Sequence, residues 1–166
     1  MILFTDLAFL AVAIMTGAIK HWQKYYATVL FVSFSNLLYN LICKDYLTWS
    51  FHPDFLLNRT SVEVLNSLVL LPSVTILYLY FFPKDAQKVY IYYLGWIALF
   101  FTAEYIWFLY SRISYHRGWN LVWSIVFYFA MFLVIRLHHT SRAKAILFSF
   151  AFVVFLLTTF KITFWK

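Results

Sequence analysis

Residues 60–82 read TSVEVLNSLVLLPSVTILYLYFF, in which Glu63 is the only charged residue. A helix needs about 20 mostly apolar residues to cross a bilayer. Lipid offers no hydrogen-bond partner to bare backbone, and the stretch lacks the alternation typical of a strand, so a helix is favoured. The stretch therefore predicts a membrane-spanning helix, which Pro72 either kinks or divides into two half-helices.

Five more stretches of this kind predict a polytopic membrane protein. The chain is 64% hydrophobic and 11% charged, whereas a soluble domain is about 45–50% apolar and about 25% charged. The expected fold class is all-α, a polytopic membrane helix bundle of about six transmembrane helices in a single domain, residues 1–166. Asp6 and the absence of Lys or Arg before the first apolar run favour a retained first helix over a signal peptide. The other five predicted spans are residues 2–19, 25–43, 89–111, 119–137 and 145–162.

The positive charge of the chain lies at the ends of the predicted helices. The net charge is +7, but Lys and Arg are scattered between apolar stretches, so we expect membrane lipids as partners and no nucleic acid. The single cysteine, Cys43, excludes an internal disulfide and a cysteine-based metal site. His138 and His139 are adjacent and have no third ligand nearby in sequence. We therefore expect no metal and no cofactor.

The distribution of basic residues predicts the orientation. With an outside N-terminus, the inside loops hold seven basic residues, and the outside loops before the C-terminal segment hold four. Because short cytoplasmic loops carry the excess of Lys and Arg, both termini are expected outside. The inside set is Lys20, Lys24, Lys84, Lys88, Arg136, Arg142 and Lys144, and the outside set is Lys44, Arg59, Arg112 and Arg117.

Polar side chains gather at one membrane face of this topology. Alternating spans bring the N-terminus, the second-to-third loop and the fourth-to-fifth loop to the same side. An ionisable group within a span is costly unless it is paired or hydrated, so each is a candidate for a functional site. Ser33 shares a helical stripe with two of the candidates, and Asn66 and Ser67 share one with Glu63. The candidate ligand-binding residues are Asp6, Asn36, Asn40, His52, Asp54, Glu63, Glu104, His116 and Asn120.

Purely structural roles are open for most of these residues. Glu63 matches a capping box with Thr60, and Asp54 is typical of a residue that caps a short interfacial helix. Asn36 and Asn40 are alternatively hydrogen-bonding partners between helices. Asp6 is alternatively an interfacial residue of a frayed terminus.

Glu104 is the acid that a structural role explains least well. Phe100, Phe101, Trp107 and Phe108 surround it in sequence. The carboxyl group is therefore either paired with a cation, such as Arg112, Arg117 or a histidine, or kept neutral by burial.

Two loop segments carry a resemblance. Residues 51–58 read FHPDFLLN and residues 113–120 read ISYHRGWN. With them, nearly the whole chain resembles a family of small, uncharacterised multi-pass membrane proteins from endospore-forming Gram-positive bacteria. The resemblance implies a bacterial cell membrane or spore membrane and transfers no catalytic residue.

Three functions fit this sequence. The favoured one is a non-enzymatic membrane protein that binds or conducts a small polar solute, a cation or a lipid at the polar face, with a homo-oligomer needed for a pathway. The alternative is an accessory subunit that packs Trp49, Trp119 and Trp123 against a partner membrane protein. An intramembrane lipid-modifying enzyme, with His52 and Asp54 or His116 and Glu104 as base and orienting acid, is less favoured. It would lack an HExxH or DxxD-type motif.

Overall fold

The computed structural model describes residues 2–43, 48–52 and 58–162. Within them the chain is helical apart from one small two-stranded sheet, which confirms the all-α fold class. The chain divides into two compact units, Met1–Leu41 with Phe51–Phe82 and Ile42–Ser50 with Pro83–Lys166. The single domain stays a prediction.

The first unit is a set of helices that pack around one continuous helical run. This run consists of α3 (Arg59–Leu65), a π-helical turn (Asn66–Leu70) and α4 (Leu71–Tyr80). Helix α1 (Ile2–Met15) packs against all three of them. At its far end, His21 stacks on Tyr80 with ring centroids 5.2 Å apart. The elements are α1 (Ile2–Met15), a 3-10 turn (Ala18–His21), α2 (Trp22–Ile42), α3 (Arg59–Leu65), the π turn (Asn66–Leu70) and α4 (Leu71–Tyr80).

Helix α1 ends at Met15, before the predicted boundary at residue 19. Gly17 has a φ of 71°, a left-handed conformation that glycine adopts without steric cost and that commonly ends helices. The 14 residues of α1 span about 21 Å at about 1.5 Å per residue. A 3-10 turn and α2 follow directly after Gly17. The basic segment 20–24, which was predicted as a connection, is therefore itself helical.

Pro72 follows the π turn as the second residue of α4. Because proline has no N–H, a carbonyl about one turn earlier loses its helical donor. A π turn absorbs such a shift in the hydrogen-bond register; here the Leu71 N–H donates to the Asn66 carbonyl, five residues back. The run therefore stays continuous from Thr60 to Tyr80, and the predicted alternative of two half-helices is wrong.

The second unit is built around α6 (Leu121–Thr140), which packs against both α5 (Ala86–Leu109) and α7 (Arg142–Thr159). Asp85 caps α5 by accepting from the Gln87 N–H at 3.0 Å, and Ser141 alone separates α6 from α7. A two-stranded sheet pairs β1 with β2, and Trp49 and Ser50 of β1 belong to this unit. The elements are α5 (Ala86–Leu109), α6 (Leu121–Thr140), α7 (Arg142–Thr159), β1 (Trp49–Phe51) and β2 (Ile113–Tyr115).

Helix α5 ends in a left-handed residue that is not glycine. Ser111 has a φ of 53°. The Ser111 N–H donates to the Phe108 carbonyl at 3.0 Å and the Arg112 N–H to the Trp107 carbonyl at 2.7 Å. This pair of bonds is the Schellman motif, which satisfies carbonyls at a helix end. It turns the chain from α5 directly into β2.

Five helical segments among the described residues are long and apolar enough to cross a membrane. The apolar α1 is shorter than this, so five of the six predicted helices have the length and composition that a membrane span requires. Large apolar side chains on these helices face outward, with Ile91 76% and Leu147 71% exposed. Exposed apolar surface on this scale is compatible with a multi-pass membrane protein. The five segments are Ala18–Ile42, Thr60–Tyr80, Ala86–Leu109, Leu121–Thr140 and Arg142–Thr159.

Candidate functional site

Glu104 lies buried in α5 and accepts hydrogen bonds from three hydroxyl groups. Its Oε1 accepts from the Tyr115 hydroxyl at 2.8 Å and from Ser124 Oγ at 2.6 Å. Its Oε2 accepts from the Tyr128 hydroxyl at 2.6 Å. Trp119 Nε1 donates to Ser124 Oγ at 3.0 Å. We call these five residues the Glu104 network.

The local sequence explains how the donors converge on Glu104. Ser124 and Tyr128 are four residues apart on α6, so they share the face that packs against α5. Tyr115 ends β2, which packs against the end of α5. Burial, and then the Glu104 carboxylate, raises the pKa of the Tyr115 phenol above its ordinary value. The phenol therefore remains a donor.

The bonds to Glu104 in the described chain come from hydroxyls rather than from Arg112, Arg117 or a histidine. The hydroxyl groups donate hydrogen bonds to both carboxyl oxygens without bringing a second charge into the bundle. Tyr115 and Tyr128 carried no sequence signal for this role, because aromatic residues are frequent throughout the chain. A buried acid with satisfied oxygens is stable in place and needs no ligand.

Aromatic side chains pack around the Trp119 end of this network. Trp119 is buried, and its ring centroid lies 4.7 Å from that of Trp49 and 5.1 Å from that of Phe160. Trp123 lies 5.1 Å from Phe160. The three tryptophans that the accessory-subunit hypothesis assigned to a partner surface therefore pack against one another within the second unit. Trp49 and Trp123 are only partly buried, so their assignment to a partner surface stays a prediction.

His116 and Asn120 have local roles in the second unit. The His116 N–H donates to the Thr48 carbonyl at 2.8 Å, and its Nε2 lies 3.0 Å from Ser50 Oγ. Asn120 is the N-cap of α6, and its Oδ1 accepts from the N–H groups of Val122 at 3.0 Å and Trp123 at 3.3 Å. His116 therefore joins the end of β2 to the β1 segment, and Asn120 caps α6. Neither is bonded to Glu104.

The candidate residues before and within α3 do not form a common site among the described residues. His52 is exposed, and Asp54 lies outside the described residues. Thr60 and Glu63 do not cap α3 as the predicted capping box. The N-cap of α3 is Asn58, whose Oδ1 accepts from the Ser61 N–H at 2.7 Å. Glu63 is half-buried within α3.

A hydrogen bond in the first unit joins α2 to the π turn. Asn36 Nδ2 donates to Ser67 Oγ at 2.8 Å, and Ser67 Oγ donates to the Glu63 carbonyl at 2.7 Å. The two polar stripes recognised in the sequence therefore meet at Ser67. Asn40 follows one turn later on α2 and is half-buried.

Asp6 and three other buried side chains of the first unit share one feature: each has an oxygen atom that finds no hydrogen-bond partner among the described residues. Asp6 is 1% exposed, and both of its carboxyl oxygens are in this state. The others are Ser33 Oγ, Asn66 Oδ1 and Thr75 Oγ1. We call these four residues the Asp6 group. Buried polar atoms are usually paired, so such atoms call for an explanation.

The Asp6 group is distributed over α1, α2 and the helical run from Thr60 to Tyr80. Asp6 is in α1, which packs against the π turn containing Asn66 and against α4 containing Thr75. Ser33 lies three residues before Asn36, so both occupy the face of α2 that is bonded to Ser67. Thr75 had no sequence signal, because threonine hydroxyls in helices usually bond to their own backbone.

Comparisons of the chain with protein-family models, with curated proteins and with solved structures found no match. The function has to be inferred from the chain's own residues.

Proposed function

We propose that this chain is a multi-pass membrane protein that binds a small cation or polar solute at the buried carboxyl group of Asp6. One observation carries the proposal. Asp6 is buried within the first unit, and neither carboxyl oxygen accepts a hydrogen bond from the described residues.

Burial without a partner is costly for a carboxyl group. Leaving a buried polar group unsatisfied costs about 1–3 kcal/mol and more for a charged one. Glu104 supplies the contrast within the same chain, since three hydroxyls satisfy its oxygens. A ligand that brings a positive charge or donors to Asp6 would remove the penalty, so binding energy is available there.

The proposed topology has six spans. α1 is the shortest of them, and a span shorter than the bilayer core is accommodated by local thinning at a modest cost. The basic residues between the spans favour both termini outside. The resemblance of the two loop segments favours a bacterial cell or spore membrane. In this topology Asp6 lies near the outer end of the first span.

The other two functions receive less support. Trp49, Trp119 and Trp123 pack against one another, which leaves less of their surface for a partner than the accessory-subunit hypothesis requires. His116 contacts Ser50 while Glu104 is occupied by hydroxyls, so this pair offers no base and orienting acid to an enzyme.

The proposal is tested by solute binding to purified protein in detergent. The thermal unfolding midpoint is measured with inorganic cations, organic ammonium ions and neutral polar solutes, for wild type and for Asp6→Asn. We expect at least one class to raise the midpoint of the wild type and to leave Asp6→Asn unchanged, because bound ligand stabilises the folded state.

Asp85→Asn is the matched control. It removes one negative charge from an exposed N-cap position, and asparagine caps a helix about as well as aspartate. It should respond like the wild type. A solute effect of equal size in Asp6→Asn would show that binding occurs elsewhere and would refute the proposal.

A further inference from the structure

We infer that one end of the second unit binds the headgroup of an anionic phospholipid. The observation behind it is a concentration of exposed positive charge where α5 begins and where α6 passes into α7. The inference goes beyond the proposed function, because it concerns the other unit and a different ligand. We call the exposed residues that supply this charge the basic cluster: Lys84, Lys88, Arg142 and Lys144.

The packing of α5 on α6 brings the two parts of the basic cluster to the same level. Trp96 on α5 packs on Phe132 on α6 with ring centroids 5.6 Å apart, and the contacts farther along α5 follow the same antiparallel register. Continued by about two turns toward the start of α5, this register places Lys88 level with Thr140. Thr140 ends α6 and Arg142 begins α7, so the start of α7 lies at this same end.

Little negative charge offsets the basic cluster. The acids among the described residues of the second unit are Asp85 and Glu104, and Glu104 lies about five turns farther along α5. Asp85 already caps α5 by accepting from the Gln87 N–H at 3.0 Å. Four basic side chains against this one carboxylate leave a net positive charge of three.

Stabilisation of their own helices does not explain these basic residues. Lys88 lies in the first turn of α5, and Arg142 and Lys144 lie in the first turn of α7. The N-terminus of a helix carries a partial positive charge, so cations are favourable at the opposite end. Ser141, the N-cap of α7, makes no side-chain capping bond that would offset this repulsion. A bound anion would remove it.

Apolar surface beside the basic cluster favours a lipid headgroup over a free anion. Ile91 on α5 and Ile146 and Leu147 on α7 are exposed within about one turn of a cluster residue. Lys and Arg bind phosphate oxygens through charge-assisted hydrogen bonds, and the exposed apolar side chains fit the acyl chains of the same molecule. In the proposed topology this end faces the cytoplasmic leaflet, whose anionic lipids attract Lys and Arg beside a span.

The test measures lipid binding to the whole protein by native mass spectrometry from an uncharged detergent. Phosphatidylglycerol is compared with phosphatidylcholine, and ammonium phosphate replaces ammonium acetate as the probe for a free anion. We expect phosphatidylglycerol to bind at the lower concentration. In Lys144→Gln and in the double variant Arg142→Gln with Lys144→Gln, its half-saturating concentration should rise about fivefold for each residue replaced.

Lys161→Gln is the matched control, because it removes one exposed positive charge at the other end of α7. It should bind phosphatidylglycerol like the wild type. Equal binding of the two lipids, or equal losses in Lys144→Gln and Lys161→Gln, would overturn the inference. Displacement of phosphatidylglycerol by ammonium phosphate at a comparable concentration would show that the cluster holds a free anion, and would overturn it as well.

Two additional variants keep the test decisive. Should the double variant fail to fold, the single variants Lys88→Gln and Lys144→Gln decide, and unchanged phosphatidylglycerol binding in both would overturn the inference. Asp6→Asn should bind phosphatidylglycerol like the wild type. Failure of this inference is therefore distinguishable from failure of the proposed function.

Discussion

Removing the Glu104 carboxyl group should destabilise the second unit strongly. Glu104→Ala leaves the hydroxyls of Tyr115, Ser124 and Tyr128 without their acceptor. Hydrogen bonds inside membrane proteins contribute about 0.6 kcal/mol on average, and bonds to charged groups about 1.5–3 kcal/mol. Three bonds of about 0.6–1.5 kcal/mol each give an expected loss of about 2–5 kcal/mol.

The loss can be measured by reversible unfolding in mixed detergent and dodecyl sulfate micelles. Tryptophan fluorescence follows the unfolding, and Trp119, which donates to Ser124, is one of the seven tryptophans that contribute to it. Tyr128→Phe removes one donor and should cost about 1 kcal/mol. Glu104→Gln keeps one acceptor oxygen and should fall between Tyr128→Phe and Glu104→Ala.

Tyr110→Phe is the matched control for this series, because Tyr110 is 66% exposed at the same end of α5. It should change the unfolding free energy by less than about 0.5 kcal/mol, as surface substitutions usually do. A Glu104→Ala protein as stable as Tyr110→Phe would refute the reasoning that the hydroxyl network stabilises the second unit.

Three smaller predictions use the same unfolding measurement. Ser111→Gly should stabilise the protein by about 1 kcal/mol, because glycine relieves the left-handed conformation; a destabilised variant would contradict this. Asn120→Ala should cost about 1 kcal/mol and Asn120→Asp little, since aspartate still caps α6; equal losses would show that the cap is unimportant. Asn36→Leu should cost about 0.6 kcal/mol through its bond to Ser67, with Ser35→Ala, an exposed neighbour, as the control. If Ser35→Ala lowered the unfolding free energy more than Asn36→Leu, the bond between Asn36 and Ser67 would not be the stabilising contact.

The long apolar helices could be predicted from the sequence because long apolar stretches determine them directly. The predicted span 60–82 corresponds to the helical segment Thr60–Tyr80, and span 89–111 to Ala86–Leu109. The predicted ends of the helices were less accurate, because a helix end depends on single residues. Gly17 ends α1 early through its backbone conformation, an effect that hydropathy does not register.

The small sheet and the π turn could not be predicted for a different reason. Strands of three residues are too short for an alternating pattern to show. Pro72 indicated a disturbance in the third span, but its form depends on how the chain shifts the hydrogen-bond register nearby. The sequence therefore located the irregularity without describing it.

The candidate site was predicted only in outline. Asp6 and Glu104 stood out because charged residues are rare in this chain, and both are buried. Their different surroundings follow from packing between helices, which the sequence does not specify. Three hydroxyls from β2 and α6 satisfy Glu104, whereas the oxygens of Asp6 find no partner among the described residues.

Carbodiimide labelling in native membranes tests the central claim, that Asp6 binds a ligand inside the membrane, most directly. A hydrophobic carbodiimide reaches carboxyl groups in apolar surroundings, and peptide mass spectrometry identifies the modified residue. We predict modification of Asp6 in choline chloride and graded protection as a cation is added. Modification of Asp6 that is equally fast with every solute, or the absence of modification at Asp6, would contradict the claim.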